Sequence, residues 1–126
     1  MLTVTISDQL GNQMFAYASV KTIAQNRGET FGFVRAKNNL INDTDKQYGN
    51  EIHTIFPNTK AEFLTELPTA ITHTWEEPPL RERTANYQPS ALTVPENTLM
   101  KGHFISCRYF WKNRSQAQKW FSFPED

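Results

Sequence analysis

The chain has 126 residues, 38% of them hydrophobic and 21% charged, a length that fits one compact domain spanning 1–126 and leaves no room for a second full one. Its 13 Lys+Arg balance 13 Asp+Glu without any basic cluster, which argues against a nucleic-acid binder that must neutralise phosphates. No run reaches the ~18 apolar residues of a membrane span, no basic-then-apolar leader opens the chain, and one cysteine, Cys107, permits no internal disulfide framework, so a cytoplasmic protein is expected.

Leu2, Val4 and Ile6 alternate with Thr3 and Thr5, a β-branched pattern that predicts a strand over Met1–Ile6. A short polar loop over Ser7–Asn12 follows. From Gln13 to Arg27 there is neither Pro nor Gly, and Ala16, Val20, Ile23 and Ala24 form an apolar helical stripe. Met14, Phe15, Tyr17 and Ala18 make the first turns apolar on nearly every side, which predicts a deeply buried N-terminal half. Asn12 suits the N-cap and Gly28 the residue just past the C-terminus. Phe31, Phe33 and Val34 predict a second strand over Thr30–Arg35. Strand, helix and strand in ~35 residues make a βαβ unit, and with it a parallel sheet.

The middle of the chain is less regular. Ala36–Asn50 is Asn/Asp-rich and reads as a surface loop. Thr69–Trp75 and Thr98–Phe104 predict two further strands. Between them Pro78, Pro79, Pro89 and Pro95 exclude a long helix. Ser106–Phe121 reads as a closing helix with Phe110, Ala117, Trp120 and Phe121 on one face. The fold class expected is α/β, a Rossmann-like parallel sheet flanked by helices.

The segment Leu10–Ala18, LGNQMFAYA, is the most informative stretch. Gly11 can adopt positive φ where a strand turns into a helix. Asn12 and Gln13 place two carboxamides beside free backbone N–H groups, at the carboxyl end of a strand, where open α/β sheets bind ligands. Carboxamides both donate and accept, which suits sugar hydroxyls. The plainer reading is that Asn12 only caps the helix and Gln13 is solvated. One glycine is too few for a dinucleotide fingerprint, and no Walker-type lysine follows.

LGNQMFAYA resembles the N-terminal signature of the family 11 glycosyltransferases, the α-1,2-fucosyltransferases, commonly GG-LGNQMFQYA. Lys101–Phe110, KGHFISCRYF, is similar to that family's G-Y-[WF]-Q-S-E-K-Y-F segment through Gly102, Phe104, Ser106, Tyr109 and Phe110, with Arg108 for Lys. FSFPED at Phe121–Asp126 resembles the aromatic stretch that precedes the family's second domain. The resemblance implies the acceptor-side N-terminal half of a GT-B pair of Rossmann-type domains, with an inverting, metal-independent mechanism. It implies a glycan acceptor, GDP-fucose as donor substrate if a complete enzyme is formed, and no bound cofactor. The family's donor-binding domain carries H-x-R-R-x-D, which this sequence lacks, so the chain is expected to be incomplete for catalysis alone. A second domain or a homo-oligomer would complete it; a non-catalytic glycan- or partner-binding α/β module is the alternative.

Where the family has Gly-Gly this chain has Asp8-Gln9. Asp8 adds a carboxylate at the mouth of the loop and is the candidate base for an acceptor hydroxyl, against the plainer reading of a loop Asp capping an N–H. Substrate-binding candidates are Gln9, Gly11, Asn12, Gln13 and His103, which stands where the family has Tyr. His53, His73 and His103 have no metal-ligand spacing, and no metal is expected. Cys107 reads as a buried, inert thiol, Trp75, Trp111 and Trp120 as core anchors, and Glu76–Glu77 as a solvated pair. Arg81 and Arg83 could reach a diphosphate, although flanking Glu82 they read as a solvated loop.

Overall fold

A computed structural model describes residues 1–7, 9–36, 51–78 and 87–123. Its centre is a five-stranded sheet in the order β3-β2-β1-β5-β4, built from β1 (Leu2–Ile6), β2 (Phe31–Arg35), β3 (Phe63–Leu64), β4 (His73–Glu76) and β5 (Thr98–Lys101). Every pairing is parallel, with Val4 opposite Phe33 on one side and Met100 on the other. Helix α1 (Leu10–Asn26) crosses from β1 to β2 as the periodicity predicts. A one-turn helix α2 (Ile52–Ile55) and a 3₁₀ segment, Pro57–Glu62, lead into β3. The fold is α/β and Rossmann-like.

β1 is the central strand and is covered on both faces. Leu2, Thr3, Val4 and Ile6 are all buried, as a parallel strand between two helical layers requires. In α1 the buried positions run nearly all round the helix, including Ala16, Ala18, Ser19 and Ala24, whose small side chains let its backbone approach its neighbours closely. Burial is concentrated over Ala16–Ala24. The first turn is half-exposed, which corrects the expectation of a deeply buried N-terminal half. Tyr17 is fully buried and packs edge-on against Phe31, Phe33 and Trp120 at centroid distances of 5.3, 5.5 and 6.0 Å. Its hydroxyl donates to Glu62 and accepts from Lys21 Nζ at 2.9 Å. Desolvation by burial, reinforced by the Glu62 carboxylate, pushes the Tyr17 phenol far above its ordinary pKa.

Gly28 closes α1 at φ 70°. Its N–H bonds to Gln25 O, and that of Glu29 bonds to Ala24 O, the paired bonds of a Schellman ending. The chain after β5 departs more from expectation. The strand ends at Lys101, and the closing helix is broken into 3₁₀ turns, Cys107–Tyr109 and Trp111–Asn113, before a short α3 (Arg114–Trp120). Phe104, before this segment, holds a left-handed φ of 54°, and Phe110 within it leaves helical geometry. The β4 pattern is also shorter than predicted, beginning at His73. The expected loop over Ala36–Asn50 lies, beyond Ala36, outside the described residues. No described helix is long and apolar enough to cross a membrane.

Candidate functional site at the carboxyl edge of the sheet

From β1 the chain proceeds outward to β2 and β3, then crosses to β4 at the opposite edge and returns inward to β5, which lies beside β1. The crevice outside the carboxyl ends of parallel strands is where open α/β sheets bind ligands. The turn carrying LGNQ leaves β1 there, and the Gly102–Ser106 segment leaves the adjacent β5. The structure thus brings Gln9, Gly11 and Asn12 to the same edge as His103.

Helix α1 begins at Leu10 with Gln9 as its N-cap, three residues earlier than the sequence predicts. Asn12 is therefore not the cap; it lies within the first turn and is half-buried. Gly11 is helical and exposed rather than at positive φ, and a Cβ there would meet nothing within 4 Å. The chain bends before the glycine, not at it. Gln9 makes no side-chain cap bond and no acidic residue occupies the first turn, so no such side chain masks the leading N–H groups of α1. Asp8 lies outside the described residues, as do Arg81 and Arg83.

Gln13 does not face outward. It is 5% exposed, and its Oε1 accepts the backbone N–H of Ile52 at 2.9 Å. Its carboxamide is thus committed to joining α1 to the start of α2. Helical geometry explains the division: consecutive residues on a helix lie ~100° apart, so Asn12 and Gln13 cannot present amides to one groove.

On the β5 side the organising residue is Glu77, just past β4. Glu76 is exposed, but Glu77 is not part of a solvated pair. Its backbone N–H donates to Lys101 O at 2.7 Å, and its Oε1 accepts the N–H groups of His103 and Phe104 at 3.0 and 3.4 Å. Its Oε2 is buried and has no hydrogen-bond partner among the described residues. A Cβ on Gly102 would come within 2.5 Å of Glu77 Cβ, so this approach requires the glycine. Phe104, fully buried against Trp75 and Tyr109, sustains its left-handed backbone under this grip. The sequence signal for this latch was slight: a Glu after a strand pattern and a glycine on another strand.

A second polar cluster ends β2. Arg35 forms a two-pronged ion pair with Glu51, whose carboxylate also lies 3.4 Å from His53 Nε2. His53 stacks on Phe63 at 3.8 Å, and its Nδ1 is buried with no partner among the described residues. Desolvation holds its pKa below the ordinary value, against the opposing pull of Glu51. Among the described residues no group of three or more His, Cys, Asp or Glu side chains could hold a metal ion.

Other residues are placed differently from expectation. Cys107 is exposed, because it opens a 3₁₀ turn on the surface rather than a packed helix. Trp111 is 54% exposed, whereas Trp120 is buried and Trp75 half-buried. Two grooves are formed by the described residues. One lies beside α1 and the 107–113 segment, the other between α1 and α3 at Met14, Phe15 and Phe121. Neither is lined by Gln9, Gly11, Asn12, Gln13 or His103.

The site thus defines a Rossmann-like α/β domain in which no described side chain caps the start of α1 and a carboxylate latches the loop after the neighbouring strand. Compared with protein-family models, curated protein sequences and solved structures, the chain matches none.

Proposed function

We propose that this domain is the acceptor-binding half of a fucosyltransferase-like enzyme, recognising a neutral glycan at the carboxyl ends of β1 and β5. One observation carries the reading. Two of the segments that resemble family 11 glycosyltransferases are far apart in sequence, yet they follow the carboxyl ends of adjacent parallel strands. Gln9, Asn12, His103 and the leading N–H groups of α1 offer donors and acceptors suited to hydroxyls. Gln13 and Glu77 hold this edge in shape from beneath. The resemblance assigns the donor, GDP-fucose, to a unit bearing H-x-R-R-x-D, a motif this sequence lacks. These 126 residues are therefore expected to bind acceptor without transferring sugar by themselves, and to do so with a second domain or another copy supplying the donor site.

The test is calorimetry of the purified chain against a panel of neutral oligosaccharides, with GDP-fucose turnover measured in parallel. Saturable oligosaccharide binding that is weakened about tenfold or more by Asn12→Ala or His103→Ala, each removing a hydrogen-bonding group, supports the reading. Absence of binding to the whole panel, or binding indifferent to both substitutions, overturns it. Binding without turnover in any mixture would favour the glycan-binding module instead.

A further inference from the structure

A groove of about 730 Å³ lies on the flank of the domain, between the second half of α1 and the chain that follows β5. Thr22 and Asn26 form its α1 wall. They sit ten and fourteen residues beyond Asn12, which at 1.5 Å per residue is roughly 15–21 Å along the helix. The groove is therefore separate from the carboxyl edge, and the function proposed above does not use it.

Arg108 and Lys112 line it, and among the described residues no carboxylate does. Neither side chain forms an ion pair or hydrogen bond with the described residues, while Lys21, Arg27 and Arg35 all have carboxylate partners. The Arg108 guanidinium lies over the Tyr87 ring, 4.3 Å from its centroid, and Tyr87 packs at a tilt against Tyr109 with centroids 4.8 Å apart. Trp111, the exposed tryptophan, completes an aromatic wall. One groove thus combines aromatic surface, two cations that have no ion-pair partner among the described residues, and the side chains of Thr22 and Asn26.

We propose that this groove binds a nucleoside mono- or diphosphate. Its volume falls within the range of small-ligand sites. Aromatic surface accepts the face of any nucleobase. Arg and Lys pair with phosphate oxygens, and Arg does so in two-pronged fashion. A polymer is disfavoured by the same observations: the chain has no net charge, and two cations cannot track a phosphate backbone.

The exposed Cys107 lines the same groove and serves as a reporter. The purified chain is titrated with GDP, ADP, guanosine and inorganic phosphate. Binding is followed by calorimetry and by the rate at which a thiol reagent modifies Cys107. GDP and ADP are expected to bind saturably and to slow modification, guanosine and phosphate each much more weakly. Arg108→Gln and Lys112→Gln, both at exposed positions, are expected to weaken GDP binding about tenfold or more each, and Asn12→Ala to leave it unchanged. Circular dichroism confirms that the variants stay folded. The proposal is overturned if about 10 mM GDP neither binds nor protects Cys107, a concentration well above millimolar affinity. It is equally overturned if inorganic phosphate protects as well as GDP does, or if the double variant binds GDP normally. None of these results bears on oligosaccharide binding at the carboxyl edge.

Discussion

Replacing Gln13 separates the structural from the ligand-facing part of the LGNQ turn. Ile52 opens α2 and is fully buried, and Glu51 before it makes no side-chain cap bond. The Ile52 N–H therefore relies on Gln13 Oε1, a cap supplied across 39 residues of chain. Leaving a buried donor unpaired costs about 1–3 kcal/mol, and truncation to Ala leaves a small void worth about 1 kcal/mol more. Gln13→Ala should then cost about 2–4 kcal/mol, a fall in Tm of roughly 8–16 °C for a domain of this size. Gln13→Leu fills the void but supplies no acceptor, and should still lose about 1–3 kcal/mol. Asn12→Ala, next door, should stay within about 0.5 kcal/mol of the parent. Thermal unfolding measures all three, and amide hydrogen exchange adds a local readout, since the Ile52 N–H should lose protection in both Gln13 variants. A Gln13→Ala protein with the parent Tm and parent protection at Ile52 would refute the reasoning.

Three further outcomes are expected. His53 is held below its ordinary pKa, so the unfolded chain binds more protons below pH ~6.5. Stability should be full above that pH and decline as pH falls toward the folded-state pKa; His53→Gln should flatten the decline in urea titrations at successive pH values, and a parent more stable at pH 5 than at 7 would contradict it. Glu77→Gln keeps an acceptor for the His103 and Phe104 N–H groups, whereas Glu77→Ala removes it and should cost about 1–3 kcal/mol; equal losses by denaturant unfolding would remove the latch. Tyr17→Phe leaves Glu62 and Lys21 paired but deletes the hydroxyl between them. It should lower stability by about 1–2 kcal/mol at neutral pH. It should also remove the Tyr17 share of the stability that the parent loses as pH rises above about 10, a difference measurable by alkaline unfolding.

The elements written as local periodicities were legible before any coordinates. β1, α1, Gly28 and β2 follow from alternation, an uninterrupted helical run and a stop residue, and together they imply the parallel sheet. The LGNQ turn at the end of β1 was legible for the same reason, because a strand followed by a helix can put that turn in only one place. Boundaries and facings were not. Asn12 and Gln13 looked equivalent as neighbouring carboxamides, and only the seating of α1 against α2 turns one inward. The predicted closing helix is interrupted at Phe110, which leaves helical geometry, and just before it Phe104 is held left-handed by contacts with Trp75 and Glu77 from the β4 end of the chain.

By itself, the sequence determined a parallel α/β domain and the strand end that bears its most distinctive residues, since these rest on the spacing of apolar side chains along a single segment. Tertiary structure alone decided that Gln13 is a cap, that Glu77 grips the β5 loop and that Arg108 and Lys112 face a common groove with Tyr87. Each of those facts depends on a donor, an acceptor or a charge arriving from a distant segment, and local spacing holds no record of which segments meet.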